Sequence, residues 1–223
     1  MPILYIVATP IGNLGDISQR AINTLKTSDL ILCEDTRVTR TLLNSFEVKA
    51  EAISYHQHTS QEKINALLEF SRQGKVLSLV SDAGTPGISD PGNKFIEEFL
   101  KAFGTEAQII PIPGPSALAT LASIAGFAMD KFIFFGFPPH KNKRQKYFQE
   151  LLSFEYPVIF YESCHRIIKS LEDIEKNNKE VSVVVGRELT KKFESVYRGT
   201  ISEVIAKVKK DPLKGEYTVI IKK

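Results

Sequence analysis

The stretch Val76-Leu77-Ser78-Leu79-Val80-Ser81-Asp82-Ala83-Gly84-Thr85-Pro86-Gly87-Ile88-Ser89-Asp90-Pro91-Gly92 decides the fold. Residues 76–82 form a short, mostly apolar run of the length and composition of a buried strand. Residues 82–92 pack three glycines and two prolines, with a helix start marked by Asp90 and Pro91. Such a loop is stiff and open at once. Glycines bring main-chain amides and carbonyls close to a ligand, prolines hold the shape in advance, and Asp82, Thr85, Ser89 and Asp90 offer polar contacts. A strand, a loop of this kind and a helix make up the repeating unit of an open α/β sheet, where ligands bind beyond the carboxyl ends of the strands.

Outward from that unit the same alternation runs through the chain. Strand-like runs occupy residues 3–9, 30–34, 76–82, 108–113, 131–137, 158–162, 181–185 and 217–222. Helix starts are expected at Asp16, at the capping box formed by Thr59 and Glu62, and at Asp90, with ends near Gly74 and Gly104. The turn Pro113-Gly114-Pro115 falls near mid-chain and a second set of strands follows it. Two α/β domains are therefore expected, at 1–113 and 114–223.

A chain of 223 residues, 43% of them hydrophobic, buries a core without disulfides or metal. The two cysteines, Cys33 and Cys164, stand beside apolar runs with no partner at metal-ligand spacing, and they read as core thiols of a cytoplasmic protein. Residues 109–129 carry no charge, yet Pro111, Pro113 and Pro115 leave about three turns of apolar helix, too short to cross roughly 30 Å of hydrocarbon. No membrane partner is expected. His56 and His58 lack a third ligand nearby, so no metal is expected either. The net charge of +3 identifies no partner, but its distribution is informative. His140, Lys141, Lys143, Arg144 and Lys146 crowd a helix start, where positive charge opposes the helix dipole and a phosphate partner would explain it; a solvated loop is the plain alternative.

Other strand ends carry chemistry as well. Residues 9–16 place Gly12 and Gly15 after the first strand without the spacing of a dinucleotide fingerprint. Residues 113–117 give a small-residue turn with room for a flat ring. Charged groups follow three further strands: Glu34-Asp35-Thr36-Arg37, Glu162 with His165 and Arg166, and Arg187-Glu188-Leu189-Thr190-Lys191.

These motifs, with Lys214-Gly215-Glu216, resemble in order and approximate spacing those of the tetrapyrrole methylase superfamily, and within it the ribosomal RNA small subunit methyltransferase I family. The resemblance spans essentially the whole chain. Longer members carry a helical tail after the last strand, where this sequence reads Ile220-Ile221-Lys222-Lys223, and often have proline at the position of Cys164. The resemblance implies a two-domain class III methyltransferase fold, a homodimer, S-adenosyl-L-methionine in a cleft between the domains, and 2'-O-methylation of a cytidine in the decoding region of 16S rRNA. By the same analogy Ile11, Gly12, Asp82, Gly84, Thr85, Ile88, Ser89, Ser116, Ala117, Tyr161, Gly215 and Glu216 contact the cofactor. Arg37, Lys141, Lys143, Arg144, Arg166, Lys191 and Lys192 are expected to hold RNA phosphates.

Methyl transfer to a hydroxyl requires alignment and the removal of one proton. Glu34, Asp35, Glu162 and Glu188 are the candidate bases, with His165 a further option, and each acid has a competing role in an ion pair with Arg37, Arg166 or Lys191. A corrinoid methylase and a non-catalytic RNA-binding module share parts of this pattern. The first should carry a Gly-Asp-Pro loop where this chain has Gly84-Thr85-Pro86, and the second should have lost the strand-end acids that are present here.

Overall fold

A computed structural model describes residues 1–223, which separate into two compact units, Met1–Ser116 and Ala117–Lys223. The first runs β1 (Ile3–Val7), α1 (Gln19–Thr27), β2 (Leu30–Cys33), α2 (Thr36–Ser45), β3 (Glu51–Ser54), α3 (Gln61–Arg72), β4 (Leu77–Val80), α4 (Asn93–Phe103) and β5 (Gln108–Ile112). Its sheet is parallel throughout, in the order β3-β2-β4-β1-β5. Crossovers between parallel strands are right-handed, so chain steps in opposite directions along a sheet put their helices on opposite faces. The core obeys this rule. Val7, Ile31, Cys33 and Val80 face Ala21 and Leu25 of α1 and Leu43 of α2. Leu4, Leu30, Leu32, Leu77 and Leu79 alternate with them and face Ile64, Leu67 and Leu68 of α3 and Phe95 and Phe99 of α4.

The direction of travel reverses between the neighbours β1 and β4. From β1 the chain steps across β4 to β2; from β4 it steps across β1 to β5. Their carboxyl ends therefore diverge to opposite faces and open a crevice between them, the place where doubly wound sheets bind ligands.

The second unit runs α5 (Ala117–Ser123), β6 (Ile133–Phe134), α6 (Arg144–Leu151), β7 (Val158–Ser163), α7 (Ile167–Asn177), β8 (Ser182–Arg187), β9 (Ser195–Thr200), α8 (Ile201–Val208) and β10 (Glu216–Lys222). The sheet order is β6-β7-β10-β8-β9, with only the β6–β7 pair parallel. Phe148, Leu171, Ile174, Ile201 and Val204 from three helices pack on one face, against Phe160, Val185 and Val219. On the opposite face a Cβ at Gly186 would lie 2.8 Å from a methyl group of Leu121, so glycine permits α5 to approach the sheet.

Several expected boundaries move, each for a local reason. Asp16 ends a 3-10 turn and Ser18 caps α1, accepting from the Ala21 amide. Ser60 caps α3, because the Thr59 hydroxyl accepts instead from the His56 amide at 2.9 Å. Gly92 precedes α4, with φ of 150° and no side-chain cap. The run at 131–137 contributes only two paired residues, and α5 is 7 residues long. No helix is long and apolar enough to cross a membrane.

Candidate functional site

Main-chain bonds stitch together the loops at the carboxyl ends of β1, β4 and β5. Thr9 and Gly84 exchange backbone hydrogen bonds of 2.9 and 3.1 Å. The Thr9 hydroxyl donates to the Ser81 carbonyl at 3.0 Å, and Ser81 donates to the Gly84 carbonyl at 3.0 Å. Thr85 donates weakly to the Pro115 carbonyl at 3.4 Å. Gly84 needs its φ of +88°, a region that disfavours side chains, and a Cβ there would crowd Ile11 at 3.3 Å. The loop after β2 joins the group through Asp82, whose carboxylate accepts from the Asp35 amide at 3.1 Å. Ile11 is buried behind this seam, whereas Gly12, Ile88 and Ser89 are exposed along it.

Two hollows flank the seam within the first unit. One, of about 350 Å³, has Leu14, Val38 and Leu42 as an apolar wall and Thr9, Gly12 and Asp82 as its polar side. The other, of about 370 Å³, is lined by Glu34, Tyr55 and Gln57 and by residues 89–94. Both fall in the range typical of small-molecule sites.

The four candidate acids stand in different surroundings. Glu34 is exposed on the second hollow and has no ion-pair partner. Asp35 caps α2 and binds Arg37, whose side-chain hydrogen bond leads in holding the Asp35 carboxyl down at about 2. Burial would raise the Glu188 carboxyl, but hydrogen bonds from Lys191 and the Glu216 amide outweigh it and hold it below the usual carboxylate value. Glu162 is buried at 1% exposure and faces the helices of its own unit. It accepts from Arg166 at 2.8 Å, from the Ser163 amide at 2.8 Å and from the Ser170 hydroxyl, with Arg144 at 3.9 Å.

That network also fixes the place of two basic residues. Arg144 is buried, bound to Asp173 at 2.9 Å, to Ser170 at 2.7 Å and weakly to the Pro139 carbonyl at 3.4 Å. Arg166 donates to the Pro138 carbonyl at 2.8 Å. Both guanidiniums therefore brace the loop before α6 from inside, while Lys141 and Lys143 stand exposed on that loop. Lys192 and Arg37 are exposed as well, and Lys191 bridges Glu188 and Glu216.

Of the remaining candidate cofactor contacts, Ser116 and Ala117 are half-buried at the start of α5, and Tyr161 is half-buried on β7 with its ring 5.0 Å from Phe134 and 5.5 Å from Phe137. Gly215, at φ of +87°, lets the Glu188 carboxyl lie where a Cβ would be, 2.3 Å away. Sequence reasoning missed Tyr55 as a pocket residue, because β3 was not visible as a strand; the only signal nearby was the polar trio His56-Gln57-His58. No group of three or more His, Cys, Asp or Glu side chains is placed to hold a metal ion.

A family model described as Tetrapyrrole (Corrin/Porphyrin) Methylases matches residues 3–205. The chain is 45% identical over 224 residues to a Synechocystis sp. protein named ribosomal RNA small subunit methyltransferase I, covering 99% of this chain and 79% of that one. A Thermotoga maritima protein of the same name is 41% identical over 218 residues, with 98% and 97% covered. The chain belongs to the ribosomal RNA small subunit methyltransferase I family, a branch of the tetrapyrrole methylases. Among solved structures, diphthine synthase matches with a TM-score of 0.74 at 14% identity, covering 99% of this chain and 90% of that one. A cobalt precorrin-4 methyltransferase matches with a TM-score of 0.73 at 17% identity, covering 99% and 94%. At such identities these likenesses show the fold.

As a member of this family the chain is a methyltransferase, and its cofactor is S-adenosyl-L-methionine. The residues present fit that molecule. It combines a flat aromatic ring system, a hydroxyl-bearing sugar and a charged amino-acid arm; the hollow beside Gly12 combines an apolar wall, hydroxyls and the Asp82 carboxylate.

Proposed function

We propose that the chain transfers a methyl group to the 2'-hydroxyl of a cytidine in the decoding region of small-subunit ribosomal RNA, acting as a cytoplasmic homodimer. The observation that carries the proposal is the unpaired, exposed Glu34 at a strand-end hollow, in a chain about 40% or more identical to proteins named for ribosomal RNA methylation. The relatives' names supply the RNA; the acid supplies a chemistry suited to a hydroxyl.

S-Adenosyl-L-methionine supplies a methyl group on a sulfonium, whose carbon–sulfur bond breaks as the new carbon–oxygen bond forms. In the first unit Ile11, Gly12, Asp82, Gly84, Thr85, Ile88 and Ser89 are the residues proposed to hold it; in the second, Ala117, Tyr161, Gly215 and Glu216, with Ser116 at the end of the first. Glu34 accepts the proton that leaves the ribose oxygen. Its rivals suit that task less well: Glu162 is enclosed by arginines, while Asp35 and Glu188 are held in the ionised form by their own partners and are correspondingly weak bases. Alignment of hydroxyl and methyl contributes the larger share of the rate. Lys141, Lys143, Lys192 and Arg37 offer exposed charge to RNA phosphates, with Lys191 beside them in sequence; Arg144 and Arg166 contribute through the loop they brace.

The test is transfer of a labelled methyl group from S-adenosyl-L-methionine to small ribosomal subunits lacking the modification, followed by mapping of the labelled ribose. One 2'-O-methylcytidine in the decoding region is the expected product. Cofactor binding without transfer to subunits or to naked 16S rRNA overturns the proposal and turns attention to corrinoid substrates.

A further inference from the structure

We infer that the hollow lined by Glu34, Tyr55 and the first turn of α4 receives the nucleoside to be methylated, and that Tyr55 selects cytosine over uracil; this rests on the function proposed above. Two independent observations meet in that hollow. Tyr55 is 1% exposed and lines it, yet its hydroxyl hydrogen finds no acceptor within the protein. The Phe95 amide that faces the phenol is itself a donor and gives the hydroxyl hydrogen no acceptor. Burial without an acceptor is unfavourable for a hydroxyl, so the group is poised for one from outside. The ring is held in place edge-on to Phe95, with centroids 5.3 Å apart.

The second observation is the start of α4. This helix is 11 residues long and its cap, Gly92, supplies no side-chain acceptor; the first-turn residues Asn93 and Lys94, whose amides have no partner inside the helix, line the same wall. Donors thus converge from Tyr55 and from the helix terminus. A free phosphate would satisfy them, but the unpaired Glu34 carboxylate lines the same hollow and would repel it. A neutral ligand with adjacent acceptors on one edge and a hydroxyl to offer Glu34 meets both conditions.

Cytosine in a nucleoside has those features. Its O2 and N3 are neighbouring acceptors, and its ribose carries the hydroxyl. Uracil keeps the O2 acceptor but presents N3–H, a donor set against the helix amides and against a hydroxyl whose oxygen already faces the Phe95 amide. An enzyme that modifies a buried nucleotide extrudes it into such a pocket and reads the edge that pairing had occupied.

The experiment uses the full chain and its Tyr55→Phe variant, which keeps the ring packed on Phe95 and removes only the hydroxyl. Methyl transfer is measured under single-turnover conditions on small subunits carrying cytidine or, by site-directed change, uridine at the target position. Binding of S-adenosyl-L-methionine is followed in parallel by thermal shift. The expected result is a fall of about tenfold in the cytidine-to-uridine rate ratio, with cofactor binding unchanged, the size expected for one lost hydrogen bond in base recognition. An unchanged ratio overturns the assignment of Tyr55. A variant that loses cofactor binding also overturns it, by assigning the hollow to the cofactor. A wild-type chain that methylates neither RNA overturns the functional proposal itself, which keeps the two failures distinct.

Discussion

Replacing Glu162 by alanine leaves Arg166, with its side chain 17% exposed, without its carboxylate, and takes the more distant charge from Arg144, 8% exposed. The side chain of Glu162 is itself 0% exposed and accepts from three groups, Arg166, the Ser163 amide and Ser170. Removing one partner of a buried pair costs about 3–5 kcal/mol, because the surviving charge stays desolvated. Arg144 keeps Asp173 at 2.9 Å, so the lower end of that range applies. Asp173→Ala is the milder change, since its side chain is 24% exposed and Arg144 retains Ser170 and Glu162; about 1–2 kcal/mol is expected. The chain has no tryptophan, so urea unfolding is followed by far-ultraviolet circular dichroism. With slopes of roughly 1–3 kcal/mol/M, Glu162→Ala lowers the midpoint by about 1–3 M and Asp173→Ala by less. Equal midpoints for wild type and Glu162→Ala refute the reasoning.

Other outcomes follow from the surroundings of individual groups. Glu34→Gln lowers single-turnover methyl transfer by about 10²–10⁴-fold and leaves thermal stabilisation by S-adenosyl-L-methionine unchanged; full activity excludes Glu34 as the base. Asp35, lowered from 3.8 to about 2, stabilises the fold above its unfolded value, and the contribution is lost as pH falls through about 2. Acid titration of Asp35→Asn should therefore show a flatter stability profile across that window than the wild type. Lys141→Ala with Lys143→Ala weakens RNA binding and reduces the magnitude of its logarithmic salt dependence by about one for each phosphate no longer neutralised; an unchanged slope places those lysines away from RNA.

The strands buried on both faces were legible because each sequence run carries its own signal. Residues 77–80 and 30–33 are uniformly buried and read as apolar runs. β3 was not legible: Glu51-Ala52-Ile53-Ser54 has one β-branched residue and becomes a strand only by pairing with β2 at the sheet edge. Residues 131–137 mislead in the other direction: only Ile133 and Phe134 pair with β7, while Phe135 packs on Tyr147 and Phe154 and Phe137 on Tyr161. Acids and bases at strand ends were visible as a set, but their roles were not. Arg144 looks like its lysine neighbours until Asp173, 29 residues on, turns it inward. Tyr55 carries no local sign at all, because what distinguishes it is a partner that is missing.

The strand order has a consequence for synthesis on the ribosome. β1 emerges first but lies between β4 and β5, and Thr9 and Gly84, which close the loops above it, are 75 residues apart. At about 5–20 residues per second, the first strand waits roughly 4–15 s for its nearer neighbour to be made. During that interval Ile3-Leu4-Tyr5-Ile6-Val7 is a nascent apolar segment without the strands that flank it in the sheet.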